Sequence, residues 1–501
     1  MKRVLAWLMA MMMLIPALGL ADPVMAGYDA AETGHDWDNN RFFLAMEEKT
    51  GLRFVYRQFK DAAEYQRYKT GLKADGELPA VLFKASLTPG EEQALYDAGV
   101  LRDLRPLLPK WAPNLWTLLQ AHPDWLAAIS LPDGAIVSLP LLDPLLSNNL
   151  IWINKRWLTM TQQAMPETPE ALTEVLRAFK AGDPNRNGKA DEIPLTFTGM
   201  WDLRFLQHAF GLVTNDYYLT RDEAGQIVCG ITGDRSRAFL AWLHDLWAEE
   251  LLDHSGFTTS DTTRKLSDSA TTIPYGVVFG TSPMSLLPAK AAEDYTALLL
   301  HPAGEAPVYR SFMGAVVRGT FAVTTACENP GEMLRWADVL YTEEGCFMAR
   351  AGVLDEDYQR DADGKWRWLY SAEQVASLVS REDTIDAGSP IPGYVPESFN
   401  LSFDDVSANR LVAEFAQVAS VAREAVPQMS LTPEEEARLA ALMPALSAYC
   451  ETRMTWFVTG DWPLDDAHWE EFCSQIDALG MAEIIQIWQR AADRQKEADH
   501  E

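Results

Sequence analysis

Residues 183–195 read Asp-Pro-Asn-Arg-Asn-Gly-Lys-Ala-Asp-Glu-Ile-Pro-Leu, a polar, acidic loop that leads into a short apolar strand. Position 6 of this loop is Gly188, which permits the sharp turn that a cation-binding loop needs. Oxygen-bearing side chains stand at positions 1, 3, 5 and 9, which are Asp183, Asn185, Asn187 and Asp191. This spacing is typical of a loop that wraps around a hard cation, and it predicts a Ca²⁺ site.

The end of the loop differs from an EF-hand. Position 12 is Pro194, where an EF-hand carries a bidentate Glu. Glu192 at position 10 offers a carboxylate instead, and the Lys189 carbonyl at position 7 offers a backbone ligand. An ordinary acidic turn without a metal is the alternative, because Asp, Asn and Gly also favour turns. Spacing alone leaves both interpretations open.

Helical and strand patterns alternate on both sides of the loop. Upstream, the apolar run 79–83 predicts a strand and precedes a predicted helix at 89–98. A second apolar run at 150–154 precedes a helix at 171–181. Downstream, apolar residues at three- and four-residue spacing in 237–252 predict a buried amphipathic helix. This order predicts an α/β fold with a largely parallel sheet.

Composition and charge restrict the class of protein. The chain has 501 residues, enough for two or three domains at roughly 150 residues each. Asp and Glu number 72 against 42 Lys and Arg, which gives a net charge of -30. A chain this acidic repels phosphate backbones, so nucleic acid is excluded as a partner.

The N-terminus predicts export. Met1-Lys2-Arg3 precedes the apolar run 4–20, and small residues follow at Ala21 and Ala26. This pattern is typical of a secretory signal peptide, which we assign to residues 1–26 with cleavage after Ala26. The five cysteines are too few and too widely spaced for a disulfide framework. They are predicted to be buried thiols, with a single bridge, Cys327–Cys346 or Cys450–Cys473, left open.

Catalytic motifs are missing from the sequence. It contains no G-x-S-x-G, H-E-x-x-H or G-x-G-x-x-G pattern, and it has no phosphate loop. A glycosidase needs only two suitably placed carboxylates, and such a pair cannot be located among 72 acidic residues. We therefore predict no catalytic residue. The segment Asp361–Lys365, followed by alternating aromatic residues, predicts a hairpin.

Aromatic residues in predicted loops are candidates for sugar contacts. Trp and Tyr present flat apolar faces on which sugar rings stack, together with a polar atom for a hydrogen bond. Most of the 17 Trp are expected to pack in cores. The candidates beside Gly, Asn or Pro are Trp37, Trp201, Tyr394 and Phe399.

The order of motifs resembles a known family over nearly the whole chain. The matching segments include Glu47–Gly51, Gly99–Leu104, Leu131–Gly134, Trp152–Leu158, Asp183–Leu195, Tyr341–Gly345, Tyr394–Phe399 and Trp456–Gly460. They resemble the extracellular solute-binding proteins of bacterial ABC importers, in the subgroup with alginate- and other oligosaccharide-binding members.

This resemblance implies a periplasmic-binding-protein-like α/β fold with two lobes and a ligand cleft. It assigns 27–147 and 297–390 to the first lobe, and 148–296 and 391–501 to the second. It also implies a structural Ca²⁺ in the second lobe, held by Asp183, Asn185, Asn187, the Lys189 carbonyl, Asp191 and Glu192.

The function implied by the resemblance is binding and not catalysis. The protein is expected to be a monomer that captures an oligosaccharide and presents it to an ABC permease in the membrane. A secreted carbohydrate-active enzyme, or a sensor or scaffold that keeps the binding fold, are the alternatives. Neutral glycans, uronic-acid glycans and peptides all remain open as ligands.

Two departures from the family pattern concern the N-terminus. Ala21 stands where many members carry the lipid-modified cysteine, so a released or periplasmic protein is expected and not a lipid-anchored one. The polar stretch 27–35 precedes Asp36-Trp37-Asp38 where members have an apolar strand. The first lobe is therefore predicted to lack its first strand.

Overall fold

The computed structural model describes residues 22–144, 149–267, 269–310, 315–370, 384–400, 406–427, 429 and 431–500. Its strands are β1 (Val24–Tyr28), β2 (Val55–Phe59), β3 (Val81–Phe83), β4 (Ser138–Leu142), β5 (Leu150–Asn154), β6 (Ile193–Leu195), β7 (Leu219–Arg221), β8 (Ile227–Cys229), β9 (Tyr275–Gly280), β10 (Tyr295–Ala297), β11 (Tyr309–Arg310), β12 (Val316–Val323), β13 (Tyr358–Arg360), β14 (Trp366–Trp368), β15 (Gly393–Tyr394) and β16 (Ala422–Arg423).

Its α-helices are α1 (Arg41–Thr50), α2 (Ala62–Thr70), α3 (Pro89–Asp97), α4 (Leu108–Trp111), α5 (Pro113–Ala121), α6 (Pro123–Ile129), α7 (Lys155–Met160), α8 (Pro169–Ala181), α9 (Gly199–Leu203), α10 (Asp234–Ala248), α11 (Asp261–Arg264), α12 (Ala289–Ala292), α13 (Pro330–Asp338), α14 (Glu343–Arg350), α15 (Val406–Ala419), α16 (Pro433–Thr459), α17 (Asp466–Ala478) and α18 (Met481–His500).

The first lobe is built on a sheet with the strand order β15-β4-β12-β3-β1-β2. All neighbours are parallel except those of β12, which runs antiparallel to β3 and β4. Helices cover this sheet, so its inner strands carry apolar residues on both faces, and β3 is buried throughout. Trp336 of α13 packs at 5.8 Å from Phe83 of β3 and joins a helix to the sheet core.

The second lobe is built on a four-stranded sheet with the order β10-β5-β9-β6. β5 runs antiparallel to β9 and β10, while β6 and β9 are parallel. Its hydrophobic core also receives α8, α10 and the C-terminal helices α16, α17 and α18. The amphipathic helix predicted around 237–252 is confirmed as α10, whose Phe239, Leu243 and Leu246 are buried.

The chain passes between the two sheets three times. The first crossover runs from β4 to β5, the second from β11 to β12, and the third from β15 to α15. This architecture confirms the predicted α/β class with two lobes. The predicted hairpin at Asp361–Lys365 is confirmed by the antiparallel pair β13 and β14.

The N-terminal boundary differs from the prediction. β1 contains Val24 to Tyr28 and lies between β2 and β3, with Met25 and Ala26 fully buried. Cleavage after Ala26 would remove three of the five residues of this strand, which contradicts a boundary at 26, and the prediction that the first strand is missing is wrong. Gly27 allows the close packing here, because a Cβ at this position would lie 1.7 Å from the Phe83 carbonyl oxygen. β1 is short and contains the small residues Ala26 and Gly27, so it forms no apolar run that can be distinguished from the longer run at 4–20.

Two lobe boundaries also shift. The segment after 297 stays in the second lobe up to β11, because β10 pairs with β5 and the side chain of Tyr309 is buried in that core. The third crossover begins after Tyr394 and not at 391, because β15 pairs with β4 of the first lobe. Strands of two or three residues carry little sequence signal, so only their pairing reveals them.

The structure shows the state of the cysteines and the character of the described helices. All five cysteines are free thiols, so neither proposed bridge is present. Within the described part of the chain, no helix is both long and apolar enough to cross a bilayer.

Candidate ligand cleft and cation loop

The first crossover joins two sheet edges at which ligands bind in α/β proteins. β4 ends at Leu142, and the chain next forms β5 from Leu150. Because β5 is antiparallel to β9, its first residue lies beside the last residue of β9, where Leu150 faces Gly280. Solutes bind outside the carboxyl ends of parallel strands. The carboxyl ends of β1, β3 and β4 in one lobe and of β6 and β9 in the other therefore define the candidate cleft.

A buried ionic cluster occupies the first-lobe edge. Asp29, directly after β1, pairs with Lys84 at 3.0 Å and with His35 Nδ1 at 2.7 Å. Burial raises the pKa of Asp29, yet hydrogen bonds from His35 and Trp37 and the charge of Lys84 hold it below its ordinary value. Lys84 also donates to the carbonyl oxygens of Ile385 and Ala387. The cluster fastens the segment after residue 384 to the ends of β1 and β3.

Trp37 belongs to this cluster and not to a ligand surface. Its side chain is 1% exposed, and its indole N–H donates to Asp29 at 2.9 Å. Its ring packs edge-on against Phe83 at 5.5 Å and Tyr56 at 6.2 Å. The predicted sugar contact at Trp37 is therefore contradicted by burial, because neither ring face is open to solvent.

Trp201 is a partly exposed aromatic residue at the second-lobe edge. It lies on α9, which begins four residues after β6 ends at Leu195. The residue is 38% exposed, and its ring packs edge-on against Phe205 at 5.0 Å. A partly exposed indole held by an aromatic neighbour is suited to stacking against a sugar ring.

Asp202 ties α9 to the crossovers. Its carboxylate accepts from the Thr198 N–H at 2.7 Å and from the Asn149 side-chain amide at 3.1 Å. The Asn149 carbonyl in turn accepts from the Tyr309 hydroxyl at 2.8 Å, which connects the first crossover to the strand before the second. Burial raises the pKa of Asp202 to about 7, and the charge of Asp261 acts in the same direction.

The other two aromatic candidates lie at the third crossover. Tyr394 on β15 is half-buried beside Leu142, at the carboxyl end of the first-lobe sheet. Burial raises the pKa of its hydroxyl, and Asp143 raises it further. Phe399 stacks on Trp366 at 5.2 Å, and its carbonyl accepts from the Trp366 indole at 2.6 Å. The structure thus brings Tyr394 to the cleft edge, while Phe399 packs within a small aromatic cluster.

Cations near these edges have carboxylate or backbone partners. Lys84 pairs with Asp29, and Arg350 lies 4.0 Å from Asp386. The guanidinium groups with carboxylates beside them also include Arg264 with Asp253, Arg310 with Asp216, and Arg318 with Glu92. The charges of Lys84, Arg264, Arg310 and Arg318 are therefore compensated by carboxylates, whereas Arg204, directly after α9, donates to the Thr214 hydroxyl and the Asn215 carbonyl. None of these pairs could be located from the sequence, because the partners are distant along the chain or lie in different elements.

The predicted cation-binding loop, residues 183–192, forms the turn that its sequence predicts. The two carboxylate oxygens of Asp183 accept from the N–H groups of Asn187 and Gly188, each at 3.0 Å. The Asn187 side-chain oxygen accepts from the Lys189 N–H at 2.8 Å. Asp191 accepts from the side-chain amides of Asn185 and Asn187. These bonds gather all the predicted ligand residues except Glu192 around the turn at Gly188.

Glu192 is the residue whose surroundings fit a cation. Both of its carboxylate oxygens are buried and lack a hydrogen bond of ordinary geometry. Burial raises the pKa of Glu192, the backbone N–H groups of Glu192 and Asn185 lower it, and the charges of Asp183 and Asp191 raise it further. Among the described residues, no group of three or more His, Cys, Asp or Glu side chains converges as a complete metal site. With the carboxylates of Asp183, Asp191 and Glu192, the amide oxygens of Asn185 and Asn187 and the Lys189 carbonyl would complete the donor set, and all of these are hard ligands suited to Ca²⁺.

Comparisons with known proteins identify relatives with the same architecture. No family model matches the chain. It is 24% identical over 479 residues to FusA, the fructooligosaccharide ABC transporter substrate-binding protein of Streptococcus pneumoniae serotype 4, covering 90% of this chain and 86% of FusA. The structure of FusA with kestose superposes with a TM-score of 0.69, at 20% identity over 96% of this chain and all of that one.

Two further solved structures share the fold. A solute-binding protein of Bifidobacterium longum infantis, described as HMO binding and associated with an ABC transporter, superposes with a TM-score of 0.78 at 20% identity, covering 95% of this chain and 99% of that one. The alginate-binding protein AlgQ2, solved without calcium ion, superposes with a TM-score of 0.64 at 18% identity over 95% and 99% of the two chains. The chain has the fold of the substrate-binding proteins of ABC transporters, and FusA, one of those proteins, is its homologue.

Proposed function

We propose that this protein is an extracellular solute-binding protein that captures an oligosaccharide and delivers it to an ABC importer. The observation that carries the proposal is the partly exposed indole of Trp201 at the edge of the second sheet, at the point where the first crossover joins the two lobes. Homology to FusA, and the likeness to a protein described as HMO binding, support an oligosaccharide as the ligand class.

The charges of the cleft favour an uncharged sugar. An acidic sugar buried in a cleft needs a cation to compensate its carboxylate. Lys84, Arg264 and Arg310 near the two edges are already paired with carboxylates, while Asp143 and Asp202 add carboxylates beside the crossovers. A neutral oligosaccharide, held by stacking and hydrogen bonds, meets no such penalty. We therefore assign neutral glycans ahead of uronic-acid glycans.

A binding screen tests this function directly. Thermal unfolding is measured with kestose, with uncharged galacto- and manno-oligosaccharides, and with alginate oligosaccharides of matched length. A ligand at about 100 times its Kd stabilises the folded state by ~2.7 kcal/mol. A shift with one neutral class and intact sugar after prolonged incubation is the expected result. Sugar cleavage would instead establish the alternative of a carbohydrate-active enzyme, and no shift with any sugar would favour a sensor or scaffold.

A structural Ca²⁺ in the second lobe is a separate proposal. Asp183, Asn185, Asn187, the Lys189 carbonyl, Asp191 and Glu192 would hold it. The solvent-shielded carboxylate oxygens of Glu192 beside two further acids support the site, because a cation would relieve both the burial and the repulsion. Its role would be to stiffen the loop between α8 and β6, not to contact the sugar.

The location of the protein follows from its proposed function. A solute-binding protein works outside the cytoplasm, and we propose that the apolar N-terminal segment is a leader that ends before β1. Such a boundary keeps Val24 to Tyr28 in the sheet, whereas the boundary after Ala26 does not. The partner would be the membrane permease of the importer, and the protein would act as a monomer.

A further inference from the structure

Helix α3 of the first lobe and helix α16 of the second lobe meet at their N-terminal ends. α3 begins at Pro89, shortly after the carboxyl end of β3, and packs on β12. α16 packs on α10, α17 and α18 in the second-lobe core. The contact between α3 and α16 therefore joins the lobes independently of the three crossovers, and it lies on the same sheet edge as the candidate cleft.

The contact is made by a carboxylate against a glycine. An ideal Cβ built on Gly90 would lie 1.8 Å from Oε2 of Glu436 and 2.8 Å from its carboxyl carbon. The nearby Gly90 N–H lowers the pKa of Glu436, against the larger opposing effect of burial. The carboxylate thus packs directly on the backbone at the start of a helix, where the free N–H groups favour a negative charge.

The surroundings of this contact are charged and ordered. Glu92, in the same turn of α3, is fully buried and binds the Arg318 guanidinium Nε at 2.6 Å and the Ser138 hydroxyl. The Arg318 charge favours ionised Glu436, while Glu91 and Glu92 oppose it. The first-lobe side of the contact is therefore a fixed surface, not a flexible loop.

Gly90 is not required by the conformation of α3. Its backbone lies in the ordinary helical region, where Ala is about 1 kcal/mol more favourable than Gly. The capping box formed by Thr88 and Glu91 already fixes the helix start. The absence of a side chain at 90 therefore serves the approach of Glu436 and not the stability of the first lobe.

We propose that Gly90 and Glu436 form an inter-lobe clasp that holds the two lobes closed over the bound solute and so determines its affinity. This inference rests on the proposed function, since closure matters only if the cleft binds a solute. It assigns no ligand contact to either residue. Their effect is to stabilise the closed arrangement relative to an open one, and any such difference appears directly in the apparent Kd.

Binding of kestose to substitution variants gives the first test. Gly90→Ala places a methyl group against Glu436, and Glu436→Ala removes the acceptor, so each should raise the Kd by about tenfold or more. Glu436→Gln keeps an acceptor and should remain within about threefold of the parent. Gly233→Ala, at a glycine with open space around it, and Glu434→Ala, on the exposed side of the same turn of α16, are the matched controls.

Stability separates a clasp from a folding defect. Gly90→Ala should unfold, without sugar, at or above the temperature of the parent protein, because it improves the helix. Unchanged kestose affinity in both Gly90→Ala and Glu436→Ala would overturn the proposal. A parallel loss of stability and affinity in Gly90→Ala would overturn it as well, because the glycine would then serve the first lobe alone.

A cross-linking experiment makes the test independent of any sugar. The double variant Gly90→Cys/Glu436→Cys is treated with a short bifunctional methanethiosulfonate, and the linked peptides are identified by mass spectrometry. A 90–436 link is expected, with much lower yield for Gly90→Cys/Glu434→Cys. Equal yields would overturn the clasp. If kestose and the other sugars fail to bind but the 90–436 link forms, the proposed ligand class fails while the inter-lobe contact stands.

Discussion

Substitution of Trp201 by Ala tests the ring that we place in the cleft. The side chain is 38% exposed and packs edge-on against Phe205 at 5.0 Å. Trp456 offers a matched control, because it is also 38% exposed and also belongs to the second lobe. It lies 20 residues after Glu436 along α16, about 30 Å from the clasp at a rise of 1.5 Å per residue. Replacing either Trp with Ala therefore removes a similar area of exposed aromatic surface, but only Trp201 lies at the cleft edge.

The expected loss of affinity follows from the exposed area of Trp201. A Trp side chain presents roughly 250 Å² at most, so 38% exposure leaves about 95 Å² for a sugar to cover. At ~25 cal/mol per Å², complete coverage contributes about 2.4 kcal/mol, and coverage of half that area contributes about 1.2 kcal/mol. Trp201→Ala should therefore raise the Kd by about 8- to 50-fold.

Stability should change much less than affinity. The edge-on contact with Phe205 is worth about 0.5–1.5 kcal/mol, which sets the expected loss of unfolding free energy. Isothermal titration with the sugar found in the screen gives the Kd, and denaturant unfolding without sugar gives the stability. Trp456→Ala should leave the Kd unchanged. The reasoning is refuted if Trp201→Ala binds as tightly as the parent, or if Trp456→Ala weakens binding equally.

Three further outcomes are expected. Burial raises the pKa of Asp202 from 3.8 to about 7, so its ionisation costs folding energy and the stability of the protein should fall as the pH rises from about 4 through 7. Asp202→Asn should flatten this pH profile in urea unfolding, and an unchanged profile would contradict the assignment. Millimolar Ca²⁺ should raise the melting temperature of the parent but not of Glu192→Gln, and an equal rise in both would exclude Glu192 as a ligand. Gly27→Ala should destabilise the first lobe by about 3 kcal/mol or more, because the methyl group collides with the Phe83 carbonyl, and near-normal stability in calorimetry would show that β1 is placed wrongly.

Several features of the protein could be predicted because their causes are local. The alternation of apolar strands and amphipathic helices predicts the α/β class, since each pattern depends on residues within one or two turns. The hairpin at Asp361–Lys365 follows from Asp-Gly turn chemistry between aromatic residues. The loop at 183–192 follows from the spacing of its oxygens around Gly188, and every residue that it needs lies within ten positions.

Burial and long-range pairing limited the prediction of the site. Trp37 and Trp201 look alike in the sequence, each in a predicted loop beside polar residues, yet Trp37 is 1% exposed and Trp201 is 38% exposed. The difference arises because the Trp37 indole N–H donates a hydrogen bond to the buried Asp29, and this partner is identified only in the folded structure. No sequence pattern indicated that Asp202 belongs to the site, because its partner Asn149 lies 53 residues away.

The amino-acid sequence by itself determined the class of fold and the turn at Asp183–Glu192, because short-range periodicity and turn chemistry specify them; the bound cation and the export signal stay predictions. Only the tertiary structure decided that Val24 to Tyr28 form a strand between β2 and β3, and that β15 returns to the first lobe. It also decided that Glu436 meets Gly90, more than three hundred residues apart. Such contacts depend on how whole elements pack, and the free energy that selects them is spread over both cores and not carried by the residues that touch.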